Sequence, residues 1–113
     1  MNEFHAGPVT TAVRHSELAD HVEIVIRGEF DAAMAGAVET AFDSVDTQSC
    51  GGVVVDLAQV DFIDSAGLRV LLVGQSRLSG DGVTMTVRNP QRQVRRVFEL
   101  AGVGDVLSLE PTP

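Results

Sequence analysis

The chain has 113 residues, 44% of them apolar, and a formal net charge of −8 from 16 acids against 8 bases. That length suits one domain with one modest core, so residues 1–113 are read as a single unit with its core over about 9–109. No apolar run approaches the ~20 residues of a membrane span, and an acidic chain lacks the positive field that nucleic acids and anionic membranes need, so neither is expected as a partner.

Met1 to Pro8 reads as an irregular lead-in without the basic and apolar regions of a signal peptide, so a cytoplasmic location is expected. Val9, Thr11 and Val13 predict a first strand, and Val22, Ile24 and Ile26 a second with period-two alternation. The short polar link from Ser16 to Asp20 predicts an antiparallel hairpin between them. Gly28 marks the end of the second strand. Asp31 can then cap a helix that places Met34, Val38, Ala41, Phe42 and Val45 on one face. Gly36 inside that helix costs about 1 kcal/mol relative to Ala, so packing must hold it.

Cys50, the lone cysteine, cannot form an internal disulfide and reads as a small apolar residue near a strand start. After Gly51-Gly52, Val53-Val54-Val55 predicts a strand covered on both faces and ending at Asp56. A short apolar loop follows. A second helix is predicted from about Ser65 to Ser79, well buried, with Leu68, Leu71, Leu72 and Leu78 as its stripe and Val70 and Val73 widening it. Gly80-Asp81-Gly82 ends it, and Val83, Met85 and Val87 alternate in the next strand. Asn89-Pro90 predicts a helix start with Asn as N-cap and Pro at the first position. Val94, Val97, Phe98 and Ala101 share a face, and Gly102 stops the helix. A short strand, Val106 to Leu109, closes the domain before a frayed end at Glu110-Pro111-Thr112-Pro113. The fold class is α/β, a mixed sheet in the order β-β-α-β-α-β-α-β backed by helices. All eight bases are Arg. Arg88, Arg92, Arg95 and Arg96 read as a solvated helix face with local ion pairs.

The segment that carries chemistry runs from Val53 to Leu68. Asp64-Ser65 opens a helix, whose N-terminus exposes unpaired N–H groups and the positive end of the dipole. A phosphate on Ser65 would be well placed there, and Arg69, one turn on, could reach it. Ser65 and Asp64 are equally the residues that start helices for purely structural reasons. Asp31 reads in the same way as a cap, and Asp56 as the terminator of a buried strand.

Three stretches, in this order and spacing, resemble the STAS family, the domain shared by sulfate transporters and anti-sigma factor antagonists. They are Gly28-Glu29-Phe30-Asp31, Val53-Val54-Val55-Asp56-Leu57 and Phe62-Ile63-Asp64-Ser65-Ala66-Gly67-Leu68; a last helix with Phe98, Leu100, Ala101 and Gly102 adds to them. The resemblance implies that Ser65 is phosphorylated by a cognate anti-sigma factor that is itself a serine kinase. The unmodified protein would bind that factor and free its sigma factor; a phosphatase would reverse the modification. It also implies a partner surface of Asp31, Asp56, Asp64, Ser65, Ala66, Gly67 and Arg69, with Asp31 and Asp56 near the serine. Ala66 stands where some members carry a second hydroxyl, which leaves Ser65 as the single acceptor in the turn.

Other readings fit less well. A serine hydrolase would want a glycine two residues before Ser65, where Ile63 stands, and His5, His15 and His21 all lie far upstream; no enzyme activity is expected. A phospho-aspartate receiver using Asp56 would need an acidic pair where the chain has Arg14-His15-Ser16-Glu17. Asp31, Asp56, Asp61 and Asp64 lack the spacing of a cation loop, so neither a metal nor a cofactor is expected. Met34 and Met85 are core filler. A STAS module in a stress-signalling complex or a lipid-transport system remains the alternative.

Overall fold

The computed structural model describes residues 11–16 and 21–110. β1 (Thr11–Ser16) pairs antiparallel with β2 (His21–Phe30), as the short link between them predicts. Val9, residues 17–20 of the link and the lead-in before Thr11 lie outside the described residues. β2 and β4 (Thr84–Arg88) both run parallel to β3 (Gly52–Ile63), giving a four-stranded mixed sheet in the order β1-β2-β3-β4. Three helices complete it: α1 (Ala32–Asp43), α2 (Ser65–Gly80) and α3 (Arg92–Ala101).

One core holds these layers together. Val22, Ile24 and Ile26 from β2, Val53, Val55 and Leu57 from β3, and Met85 and Val87 from β4 meet Met34, Val38 and Phe42 of α1, Leu71 and Leu78 of α2, and Val94 and Phe98 of α3. Each fully buried aliphatic or aromatic side chain contributes about 1.5–3 kcal/mol. The β-branched run at Val53–Val55 suits a strand, yet only its odd residues are buried; Val54 and Asp56 are half-buried. The helices therefore cover one face of the sheet, not two.

Several boundaries differ from the sequence expectation. β2 continues past Gly28, which adopts φ 89° where the register with β3 shifts, so this glycine forms an irregularity and not a strand end. β3 likewise runs on from Asp56 to Ile63, because its pairing with β2 satisfies the backbone there. Beyond Asp56 its buried residues are Leu57, Val60 and Ile63, a period of three that hides the strand from a period-two search. α3 begins at Arg92, with Gln91 as N-cap and no side-chain cap bond; Asn89 is held at φ 58°, and the Asn-Pro pair forms a turn before the helix.

The expected last strand contracts to one parallel bridge, Val87 with Leu109, so the sheet has four strands and not five. Glu110 is not frayed: its N–H donates to the Val87 carbonyl at 3.0 Å, and its carboxylate accepts from Arg88 Nε at 3.3 Å. The arginine group divides accordingly. Arg88 also donates to Glu23 and Arg95 donates to the Glu110 carbonyl, whereas Arg92 and Arg96 are exposed.

α2 is less buried than its leucines suggest. Gly67, Leu71, Gly74 and Leu78 form its inward face, Leu68, Val70 and Leu72 are half-buried, and Val73 is 44% exposed. Both glycines mark close approaches. A Cβ on Gly67 would lie 2.4 Å from the Phe30 carbonyl oxygen, and one on Gly74 2.9 Å from the Phe42 ring. No helix among the described residues is long and apolar enough to cross a membrane.

Candidate functional site at two paired helix mouths

Phe30 and Ile63 are partners in the parallel register of β2 and β3, and both are buried. The residue after each turns the chain into a helix. Asp31 Oδ1 accepts from the N–H groups of Ala33 at 3.1 Å and Met34 at 3.2 Å, and Asp64 Oδ1 from Ala66 at 2.9 Å and Gly67 at 3.1 Å. The strand pairing therefore sets the mouths of α1 and α2 side by side. A further bond, Asp64 N–H to the Phe30 carbonyl at 3.3 Å, ties the two together. Gly67 seats against the same carbonyl, so the turn can approach β2 only where no side chain intervenes.

Because Asp64 is the N-cap, Ser65 is the first helical residue. Its side chain is exposed, and no described residue makes a hydrogen bond with its hydroxyl. The capping role that could explain a serine in this turn is filled by its neighbour. An anion on Ser65 would meet the positive end of the α2 dipole, although the N–H groups of Ala66 and Gly67 are already taken by the Asp64 cap. Arg69 lies one turn along the same helix, exposed and without an ion-pair partner among the described residues.

Asp31, Asp64, Ser65, Ala66, Gly67 and Arg69 thus belong to one region. Asp56 stands apart. It sits seven residues before the end of β3, on the order of 20 Å away along the strand, and its Oδ1 accepts from the Ala58 N–H at 2.9 Å. Extension of β3 through the expected loop accounts for this separation. Phe62, which the sequence carried only as part of a motif and with no role of its own, is 48% exposed and opposite Glu29 in the β2–β3 register. Gln91 and Gln93 of the α3 start had no assigned role in the sequence either. Their side chains donate to the carbonyls of Ala58 and Asp61 at 2.9 and 3.1 Å, along the stretch of β3 that β4 does not reach.

Among the described residues no group of three or more His, Cys, Asp or Glu side chains could hold a metal ion. The charge perturbation that stands out lies elsewhere: the Asp43 carboxylate hydrogen-bonded to Arg77 raises the arginine pKa, at an exposed contact between the C-terminal halves of α1 and α2.

Comparison with known proteins places this geometry. Residues 13–110 match the family model described as Mlab, STAS domain. The anti-sigma-F factor antagonist RsfA of Mycobacterium tuberculosis is 31% identical over 124 residues, covering 99% of this chain and 94% of that protein. An anti-sigma factor antagonist from Mycobacterium paratuberculosis, solved by crystallography, is 31% identical with a TM-score of 0.73, over 91% of this chain and 86% of its own. The Bacillus cell fate determinant SpoIIAA in its phosphorylated form shares the fold at 18% identity, with a TM-score of 0.68 over 90% of this chain and 92% of its own.

Proposed function

The chain belongs to the STAS domain family, and on that premise we propose that it is an anti-sigma factor antagonist whose binding is switched off by phosphorylation of Ser65. The antagonist names of its mycobacterial relatives support the binding role. The observation that carries the switch is the free, exposed Ser65 hydroxyl at the first position of α2, with the cap supplied by Asp64. The modifying partner is an anti-sigma factor with serine kinase activity.

In the forward step Ser65 Oγ attacks the γ-phosphorus of ATP. The ester bond forms as the bond from that phosphorus to its bridging oxygen breaks; ADP leaves, and the hydroxyl proton passes to a base of the kinase. A phosphatase reverses the state by attack of water on the ester, which releases inorganic phosphate and restores the hydroxyl.

The product carries about −1.5 to −2 added charges at a helix N-terminus, which the dipole tolerates within the domain. In the complex the same group faces the phosphates of the ADP just formed. Like-charge repulsion and desolvation then oppose the contact. An unpaired charge at an interface costs on the order of 2–5 kcal/mol, or about 30- to several-thousand-fold in affinity. No rearrangement of the helices is required. Asp31, Asp64, Ser65, Ala66, Gly67 and Arg69 form the proposed contact; a partner that also touches Asp56 must reach on the order of 20 Å down β3.

The test is to incubate the protein with ATP and its candidate kinase and map the modified residue by mass spectrometry. Phosphate on Ser65 that vanishes in Ser65→Ala is the expected result; no modification, or the same yield in Ser65→Ala, overturns the switch.

A second reading, a STAS module of a lipid-transport assembly, draws on the family model's Mlab description. An adjacent gene for a kinase-like anti-sigma factor favours the first reading, and a transporter operon favours the second.

A further inference from the structure

From the geometry at the end of β3 we infer that Phe62 is the apolar anchor by which this protein docks its anti-sigma factor, an inference that rests on the function proposed above. Phe62 is the one aromatic ring among the large exposed hydrophobic residues of the described chain, and it is 48% exposed. Its position is fixed. The buried neighbour Ile63 is paired with the buried Phe30, so the strand cannot rotate to bury Phe62 without ejecting Ile63 from the core. Phe62 stands three positions before Ser65, a span of about 10 Å at most. A partner that covers the hydroxyl is therefore within reach of the ring as well.

The surroundings define the chemistry of the partner. Glu29 sits opposite Phe62 in the parallel register, Asp61 precedes it and Asp64 follows two residues later. Glu29 and Asp61 are exposed. The matching surface is an apolar pocket with a basic rim: aromatic side chains that enter such pockets dominate interface energetics, while rim charges steer association and set its salt dependence.

The measurement uses full-length unmodified protein and a purified ATP-binding anti-sigma factor from the same organism. Phe62→Ala is expected to weaken the complex about tenfold or more, with the far-ultraviolet spectrum and melting temperature unchanged because the ring is outside the core. Phe62→Leu should lose less. Glu29→Gln with Asp61→Asn should lower the association rate and flatten its dependence on salt. Unchanged affinity of Phe62→Ala beside a binding wild type overturns the anchor alone. A wild type that binds no anti-sigma factor overturns the antagonist function, and the anchor falls with it.

Discussion

Asp31 and Asp64 cap neighbouring helices with nearly the same backbone geometry, φ −117° and ψ −171° at one and φ −115° and ψ −172° at the other. Each follows a residue of the Phe30–Ile63 pair, so two strand ends are converted side by side into two helix starts. With the cap taken by Asp64, Ser65 is left free, whereas a serine at the cap would spend its oxygen on the backbone.

Removal of either cap should therefore lower stability without unfolding the chain. Asp31→Ala and Asp64→Ala are each expected to cost about 1 kcal/mol, and Asp64→Ser much less. Urea unfolding midpoints measure this directly; a cost at Asp64 no larger than at an exposed surface residue would contradict the capping geometry.

Three glycines should respond differently to the same methyl group. Gly67→Ala meets the Phe30 carbonyl, which is backbone and cannot move aside, and a loss of about 3 kcal/mol or more is expected. Gly74→Ala meets the Phe42 ring, which can shift, so the loss should be smaller, about 1–2 kcal/mol. Gly36→Ala has open space within α1 and should stabilise by about 0.5–1 kcal/mol. The order of the three melting temperatures checks the account.

Gln91 and Gln93 cover carbonyls on the stretch of β3 that lacks a β4 partner. Their joint replacement by Ala should uncover a sheet edge, and such edges pair with other chains. Light scattering is expected to reveal concentration-dependent association in the double variant and none in the wild type.

The architecture was largely legible in the amino-acid order, because period-two strands, acidic caps and the Gly102 stop are local signals. Asp31 could be read since a cap needs only its own residue and the next three. Asn89 misled for the opposite reason: its φ of 58° belongs to a turn, and the backbone of Gln91 starts the helix. The second half of β3 was hidden because tertiary pairing, not alternation, keeps it extended. Val106 to Leu109 lost its strand because only Leu109 reaches β4 as a bridge partner. At the site, the sequence left open whether Asp64 or Ser65 caps the helix, and the structure gives the cap to Asp64; the separation of Asp56 followed from that hidden strand. Gly67 and Gly74 left a faint signal, standing at helical spacing with Leu71 and Leu78.

Phosphorylation of Ser65 should leave the domain intact and slightly more stable. A dianion at the α2 mouth gains about 0.3–1 kcal/mol from the dipole at low salt. That interaction favours the charged form and so lowers the second ionisation of the ester below its ordinary value near ~6. The gain is then present above that value and lost as pH falls through the lowered one. Thermal melts of modified and unmodified protein from pH 5 to 8, at low and high salt, measure it.

The most direct measurement compares the affinity of unmodified and Ser65-phosphorylated protein for the anti-sigma factor by calorimetry. The account predicts a loss of about 30-fold or more on phosphorylation, with the helical spectrum unchanged. Equal affinity of the two forms would contradict it.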